Sequence, residues 1–279
     1  MTIHELIDRR FRLVAQAGEG CFGKVFRAWD VTTGLDVAIK ILDRDTTNFR
    51  RFEREAEVLA TIRHPHVVTY VAHGLTEEGS PYLAMEWLEG TDLTALLVAR
   101  TMSPREALVV ALGCAKGLAA AHALGIIHRD VKPSNIRLVR DDPTDARMID
   151  FGVARAPRSR LTATGSILGT PEYMAPEQAR GTQDLSPSAD VFSIGCVLFE
   201  CLTGAPPFRA IDAKTTMLRL LTEDAPRLNL RCPHAPTDLV ALLTRTLARD
   251  PTDRFVNAGA LVTTIEDFLA GGAPSLPTH

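Results

Sequence analysis

The hydrophobic period changes along this chain, and the change limits the folds open to it. Near the start, FRLVAQAGEG, KVFRAWD and DVAIKIL are rich in β-branched and aromatic residues and are separated by turn residues such as TTG, a pattern of strands joined by hairpins. Phe49, Phe52, Ala56, Leu59 and Ile62 then recur at helical spacing, with Arg and Glu between them. That predicts an amphipathic helix lying on the strands. HPHVV breaks it, and GSPYLAMEWLEG returns to extended structure. From about residue 92 the pattern is mainly helical. Ser103 and Pro104 predict the N-cap and first position of a helix that runs through about Leu124 and stops near Gly125. Ser188 to Thr203 and Asp238 to Ala248 predict two more. No repeat period appears. The expectation is an α+β chain with a small, β-rich N-terminal lobe and a larger, mainly helical C-terminal lobe. EWLEG, residues 86–90, would join them, and ligands favour the cleft between such lobes.

Composition narrows the function classes. The chain has 279 residues, of which 46% are hydrophobic and 23% charged, enough for one large core or two lobes. Lys and Arg number 31 against 34 Asp and Glu, a net charge of −3, so there is no long-range attraction toward nucleic acid or anionic membrane. Five scattered cysteines form no CxxC pair, which argues against a disulfide framework or a zinc site and fits a reducing, cytoplasmic compartment. MTIHELIDRR lacks the apolar region of a signal peptide. The run Val191 to Phe199 is too short to span a bilayer and reads as a buried helix, so no membrane segment is expected. AGGAPSLPTH at the end is Gly/Pro-rich and reads as a flexible tail or a linker.

Several short motifs carry chemistry. Gly18, Gly20, Gly23 and Val25 form GxGxxGxV between two predicted strands. Glycines there let the backbone close over phosphates; on its own the motif also fits a Gly-rich hairpin. A Rossmann arrangement would require a helix opening at the third glycine, whereas KVFRAWD continues as strand. Lys40 of VAIK comes 17 positions after Gly23. Strand alternation puts Val37 and Ile39 on one face and Ala38 and Lys40 on the other, a small residue beside a cation that suits a flat ring and an anion. Lys40 also fits an ordinary surface lysine. Glu55 falls on or near the apolar stripe of the helix, where a carboxylate needs a cation; Glu53, Glu55 and Glu57 are equally readable as solvated.

The densest cluster is HRDVKPSNIRLV. His128, Arg129 and Asp130 lead to Lys132 and Asn135, and Asp150-Phe151-Gly152 follows 15 positions after the asparagine. Two carboxylates and an amide oxygen close together suit a magnesium ion and a nucleophile, and Lys132 can neutralise a moving phosphoryl group. By strand alternation Ile136 and Leu138 face a core while Arg137 faces the cleft, where its stem or its guanidinium plane can lie against a ring. Turning out to a carboxylate is the alternative.

All of these motifs in this order resemble a eukaryotic-type protein kinase over residues 11 to about 269. The Gly-rich loop, VAIK, HRDxxxxN, DFG and Ala175-Pro176-Glu177 are the signature set of that family. HRDVKPSN is similar to the Ser/Thr branch, and GTPEYMAPEQ to its bacterial members. The resemblance implies a bilobal protein-kinase fold: a 1–10 extension, a kinase domain over 11–269 (N-lobe 11–85, hinge 86–90, C-lobe 91–269) and a 270–279 tail. It implies transfer of the ATP γ-phosphoryl group to protein Ser/Thr hydroxyls, with Mg²⁺ and with Mn²⁺ as a substitute. Gly18, Gly20 and Gly23 would cover the phosphates. Lys40 would hold the α/β-phosphates while paired to Glu55. Met85 would stand as gatekeeper, the backbones of Glu86 and Leu88 would bind the adenine edge, Ala38 and Val25 would roof the ring, and Arg137 would floor it where relatives carry Leu, Met or Phe. Asp130 would accept the hydroxyl proton, supported by Thr170, with Lys132 beside it. Asn135 and Asp150 would hold the metal. His128 would pack under Phe151, and Glu177 would pair with Arg254.

Asp150 to Glu177 spans 28 residues, and Thr162, Thr164 and Ser166 are phosphosite candidates within it. Thr162 and Thr164 align with the paired threonines of bacterial relatives. A phosphate there would neutralise Arg129 and order the loop, through trans-autophosphorylation in a transient homodimer; a Ser/Thr-rich loop that is never modified is the plainer alternative. Cys21 is either a redox-sensitive thiol near Lys24 or an ordinary small residue. Two rivals stand beside the protein kinase: a pseudokinase scaffold, which usually loses one of the residues matching Lys40, Asp130 and Asp150, and a small-molecule kinase, which seldom keeps a segment like GTPEYMAPEQ.

Overall fold

A computed structural model describes residues 6–20, 23–43, 49–151 and 171–271. These residues fall into two compact units, the first ending at Glu89 and the second beginning at Gly90.

In the first unit, β1 (Leu6–Ile7), β2 (Phe11–Gly20), β3 (Gly23–Asp30), β4 (Leu35–Leu42), β5 (Tyr70–Leu75) and β6 (Pro81–Glu86) form one sheet in the order β1-β2-β3-β4-β6-β5. Every neighbouring pair is antiparallel. Alternation gives the sheet two apolar faces. Phe11, Leu13, Phe26, Val37, Ile39, Ile41 and Tyr82 make one cluster. Leu42, Leu83 and Met85 make the other, covered by Phe52 and Ala56 of α1 (Phe49–Leu59). The helix is shorter than its apolar spacing predicts. It stops at Leu59, and Ile62 is buried from the following turn, where the amides of Thr61 and Ile62 bond three residues back to Val58 and Leu59. The Thr61 hydroxyl also donates to the Val58 carbonyl at 2.6 Å, diverting a carbonyl that a longer helix would use.

Two details set the geometry of the Gly-rich hairpin. Gly23 has φ +138°, and a Cβ there would lie 1.9 Å from the Ile41 carbonyl oxygen, whereas one at Gly18 would meet nothing within 4 Å. The third glycine is therefore required by its neighbouring strand before any phosphate is considered. At the far end of β3, Asp30 is fully buried and takes Arg10 in a two-point pair, Nε to Oδ1 at 3.0 Å and Nη2 to Oδ2 at 2.7 Å. The hydrogen-bonded guanidinium holds this carboxyl well below the usual carboxylate range.

The second unit opens with β7 (Gly90–Asp92), which pairs with β8 (Ile136–Val139), itself paired with β9 (Ala146–Met148). Between β7 and β8 run α2 (Leu93–Ala99) and α3 (Pro104–Ala123). After the three-stranded sheet come α4 (Pro176–Ala179), α5 (Ser188–Thr203), α6 (Ala213–Thr222), α7 (Thr237–Thr246) and α8 (Ala258–Leu269). The start of α3 is a capping box: the Ser103 hydroxyl accepts from the Glu106 amide at 3.3 Å, and the Glu106 carboxylate accepts from the Ser103 amide at 3.0 Å. Arg100 closes on the same carboxylate at 2.8 Å and holds its pKa down to about 2. By length and composition α3 alone among the described helices could cross a membrane, although the most apolar run of the sequence lies elsewhere, at Val191 to Phe199. More than half of its most apolar stretch is buried inside the unit, where it packs on α5 and α8. The run Val191 to Phe199 is indeed a buried helix: α5 is buried continuously from Ser188 to Cys201 and ends at Gly204 in the left-handed conformation. Burial pushes the Cys114 thiol up to about 12.

Candidate active site

In the first unit, β3 and β4 set the predicted nucleotide residues in register. Gly18 lies opposite Val25, and Gly20 opposite Gly23. Val25 faces Lys40, and Lys40 in turn faces Leu83. Ala38 faces Met85. Directly opposed residues share a face, so Val25, Ala38, Lys40, Leu83 and Met85 lie on the side that carries α1, as the alternation in VAIK predicts. Glu55 is half-buried in α1, beside the buried Ala56. Glu86 ends β6 with its amide donating to the Thr69 carbonyl at 2.9 Å, and its carboxylate accepts from the Thr69 amide and hydroxyl at 2.7 and 2.8 Å. Leu88 is buried two residues later.

In the second unit, the HRDVKPSN segment is built around Asp130. Lys132 Nζ lies 3.1 Å from its Oδ2, and Asn135 Nδ2 donates to the same oxygen at 3.0 Å and to the Asp130 carbonyl at 2.8 Å. The amide of Asn135 is thereby oriented, with Oδ1 on its opposite side. The Ile149 amide donates to the Asn135 carbonyl at 2.9 Å, which brings the approach to Asp150 alongside Asn135. An amide oxygen and a carboxylate are hard oxygen donors, and a set of that size fits Mg²⁺, which keeps waters and substrate phosphates as its other ligands.

The backbone here is strained and held. Arg129 and Asp150 have φ of +65° and +58°, a region that costs a non-glycine residue roughly 1–3 kcal/mol. Asp190, fully buried in the first turn of α5, accepts from the amides of His128 and Arg129, both at 2.8 Å. Its Oδ2 also takes His122 Nε2 at 2.9 Å. Gln178 of α4 donates to the Arg129 carbonyl at 3.1 Å. His128 is fully buried, with its ring 4.5 Å from that of Phe151, the packing its sequence position suggests. Its Nδ1 accepts from the Asp130 amide and its Nε2 contacts the Ile149 carbonyl, so the proton sits on Nε2. Arg137 is half-buried between the fully buried Ile136 and Leu138, and it lies opposite Asp92 and Arg147 in the strand register. Cys21, Gly152, Thr162, Thr164, Ser166 and Thr170 lie outside the described residues.

A family model described as "Protein kinase domain" matches residues 11–264. The chain belongs to the protein kinase domain family. Pkn3 of Myxococcus xanthus, a serine/threonine-protein kinase by name, is 35% identical over 273 residues, covering 92% of this chain and 50% of its own. PknH of Mycobacterium tuberculosis, also so named, is 36% identical over 266 residues, covering 93% and 42%. The crystal structure of Rad53 1-466 in complex with AMP-PNP aligns with a TM-score of 0.77 at 27% identity, covering 90% of this chain and 64% of that one. The chain spans half or less of the length of the kinases it matches in sequence. The sheet-built unit is the N-lobe of the kinase fold and the helical unit its C-lobe.

Two residues outside the predicted set shape the HRDVKPSN segment of this kinase domain. Asp190 sits inside DVFSIGCVLF, where an aspartate at the head of an otherwise apolar helix signals a buried acceptor that needs donors. Gln178 follows APE directly and carries no comparable signal, because nothing local shows that its amide reaches back to Arg129.

Proposed function

We propose that this kinase domain transfers the γ-phosphoryl group of ATP to Ser or Thr hydroxyls of proteins. The observation that carries the proposal is the Asp130 carboxylate, held at 3.1 Å by Lys132 and at 3.0 Å by Asn135. A carboxylate fixed in this way is oriented to accept a hydroxyl proton, and Lys132 supplies positive charge where the transferring phosphoryl group gathers negative charge. Asn135 and Asp150 would hold Mg²⁺, which neutralises phosphate charge when bound. In the N-lobe, Lys40 would position the α/β-phosphates with Glu55 as its partner, beneath Gly18, Gly20 and Gly23. Val25, Ala38, Met85, the backbones of Glu86 and Leu88, and Arg137 would contain the adenine. Phosphate transfer from ATP to a generic basic protein, with none to small alcohols, tests the assignment. Transfer to small alcohols alone would make it a small-molecule kinase, and nucleotide binding without any turnover a pseudokinase.

Arg137 belongs to the pocket rather than to the chemistry in this proposal. Arg137→Leu is expected to remain active and to change ATP affinity by about tenfold or less, roughly the worth of one cation–π contact, as read by calorimetric titration. A dead enzyme would give the arginine a catalytic duty instead.

Activation is proposed to follow trans-autophosphorylation at Thr162 and Thr164 in a transient homodimer. Arg129, whose side chain is exposed next to Asp130, is the cation that such a phosphate would meet. Peptide mass mapping after incubation with ATP and Mg²⁺ should find both sites, and the Thr162→Ala/Thr164→Ala double variant should have clearly reduced activity. Full activity in that variant would remove the switch.

A further inference from the structure

The segment that follows β6 is held from two sides. Glu86 binds Thr69 on one, and Arg27 of β3 reaches it from the other. Arg27 faces Ala38 across the β3–β4 pair, so its side chain leaves the sheet on the Ala38 and Lys40 face. Its guanidinium lies 5.2 Å from the centroid of the Trp87 ring. Nη2 is 2.5 Å from Asp36 Oδ2 and 3.5 Å from Glu89 Oε1. Trp87 Nε1 donates to that same Glu89 oxygen at 3.0 Å. A guanidinium, an indole and two carboxylates thus form a closed cluster over residues 86–89. Each exposed contact is weak alone. Together they fix the side chains on both sides of Leu88, and with them the backbone between.

We propose that Arg27 is a positioning residue for nucleotide binding: by clamping Trp87 and Glu89 it presets the backbone of Glu86 and Leu88 for the edge of the adenine ring. The inference rests on the proposed nucleotide role of that backbone. A preset site spends less ordering free energy when ligand arrives, so losing the clamp weakens ATP binding and leaves the chemical step alone.

The test is steady-state kinetics on Arg27→Ala, Trp87→Leu and the double variant. Arg27→Ala should raise KM for ATP roughly three- to tenfold, in the range of one cation–π contact with its supporting ion pairs, with kcat at saturating ATP unchanged within about twofold. The double variant should raise KM by clearly less than the product of the two single effects, because the Arg27–Trp87 contact is lost in both. Arg27→Lys keeps the charge without the planar face and should fall between Arg27→Ala and the parent. The chain has two tryptophans, so a Trp29→Phe background isolates Trp87. There, Arg27→Ala should increase quenching of Trp87 by acrylamide before nucleotide is added, a readout that remains if turnover is lost. Unchanged KM and unchanged quenching, additive KM effects, or a fall in kcat at constant KM would each overturn the inference. A parent protein that binds no ATP would overturn the functional assignment itself, and the positioning role with it.

Discussion

An Asp130→Asn protein is expected to lose about 10²–10⁴-fold in phosphoryl transfer, the usual contribution of a positioned general base, while binding ATP with unchanged affinity. The substitution preserves size and planarity, so the loop need not rearrange. It removes the negative charge that Lys132 faces at 3.1 Å and the lone pair that would take the substrate proton. Transfer of labelled phosphate to a generic protein gives the rate, and calorimetric titration with ATP gives the affinity. Activity within tenfold of the parent would mean that another group accepts the proton. Lost ATP binding would move Asp130 from the chemistry to the architecture of the pocket.

Arg254→Ala is expected to destabilise the C-lobe by about 3–5 kcal/mol, the cost of breaking a buried ion pair from one side. The Arg254 side chain has no solvent exposure, and each of its five N–H donors has an acceptor. Nη1 donates to Glu177 Oε1 at 2.7 Å and to the Ser188 carbonyl at 3.2 Å. Nη2 donates to Glu177 Oε2 at 2.9 Å and to the Arg249 carbonyl at 3.0 Å. Nε donates to the Ala248 carbonyl at 2.7 Å, and the plane lies 4.7 Å from the Phe192 ring centroid. In a domain of this size the loss corresponds to a fall in Tm of about 10 °C, readable by calorimetry or by circular dichroism. Arg254→Lys should recover only part of it, since three donors cannot serve five acceptors and each unpaired acceptor costs roughly 1–3 kcal/mol. A lysine variant as stable as the parent would show that water takes up the vacated bonds.

The strands, the long capped helix and the buried α5 were legible because each rests on a local period or a local cap. So was the placing of Lys40 and Ala38 on one face, which follows from alternation alone; Val25 joins them only through the β3–β4 register. Features that depend on a distant partner were not. Gly23 reads as a phosphate-loop glycine, yet the Ile41 carbonyl is what excludes its side chain. Ile62 continues an apolar spacing, yet the Thr61 hydroxyl and the turn amides end the helix before it. Arg27, Asp36, Trp87 and Glu89 are spread over more than sixty positions, and the β3–β4 and β4–β6 registers together gather them. The sequence signals residue types; which cation meets which carboxylate is decided by the register and the turns.

His122 gives α8 a place in the support of the reaction. The Ala258 amide, at the head of α8, donates to His122 Nδ1 at 3.3 Å across 136 residues of chain. That bond puts the imidazole proton on Nε2, where it serves Asp190 at 2.9 Å, and Asp190 holds the amide of Arg129. Three hydrogen bonds therefore run from α8 to the HRDVKPSN segment. A fragment that keeps this relay to the loop around Asp130 must extend through Ala258 and into α8, although no residue of α8 touches substrate in the proposed reaction. A domain border drawn before Ala258, for expression or transplantation, leaves that imidazole without the donor that fixes its tautomer.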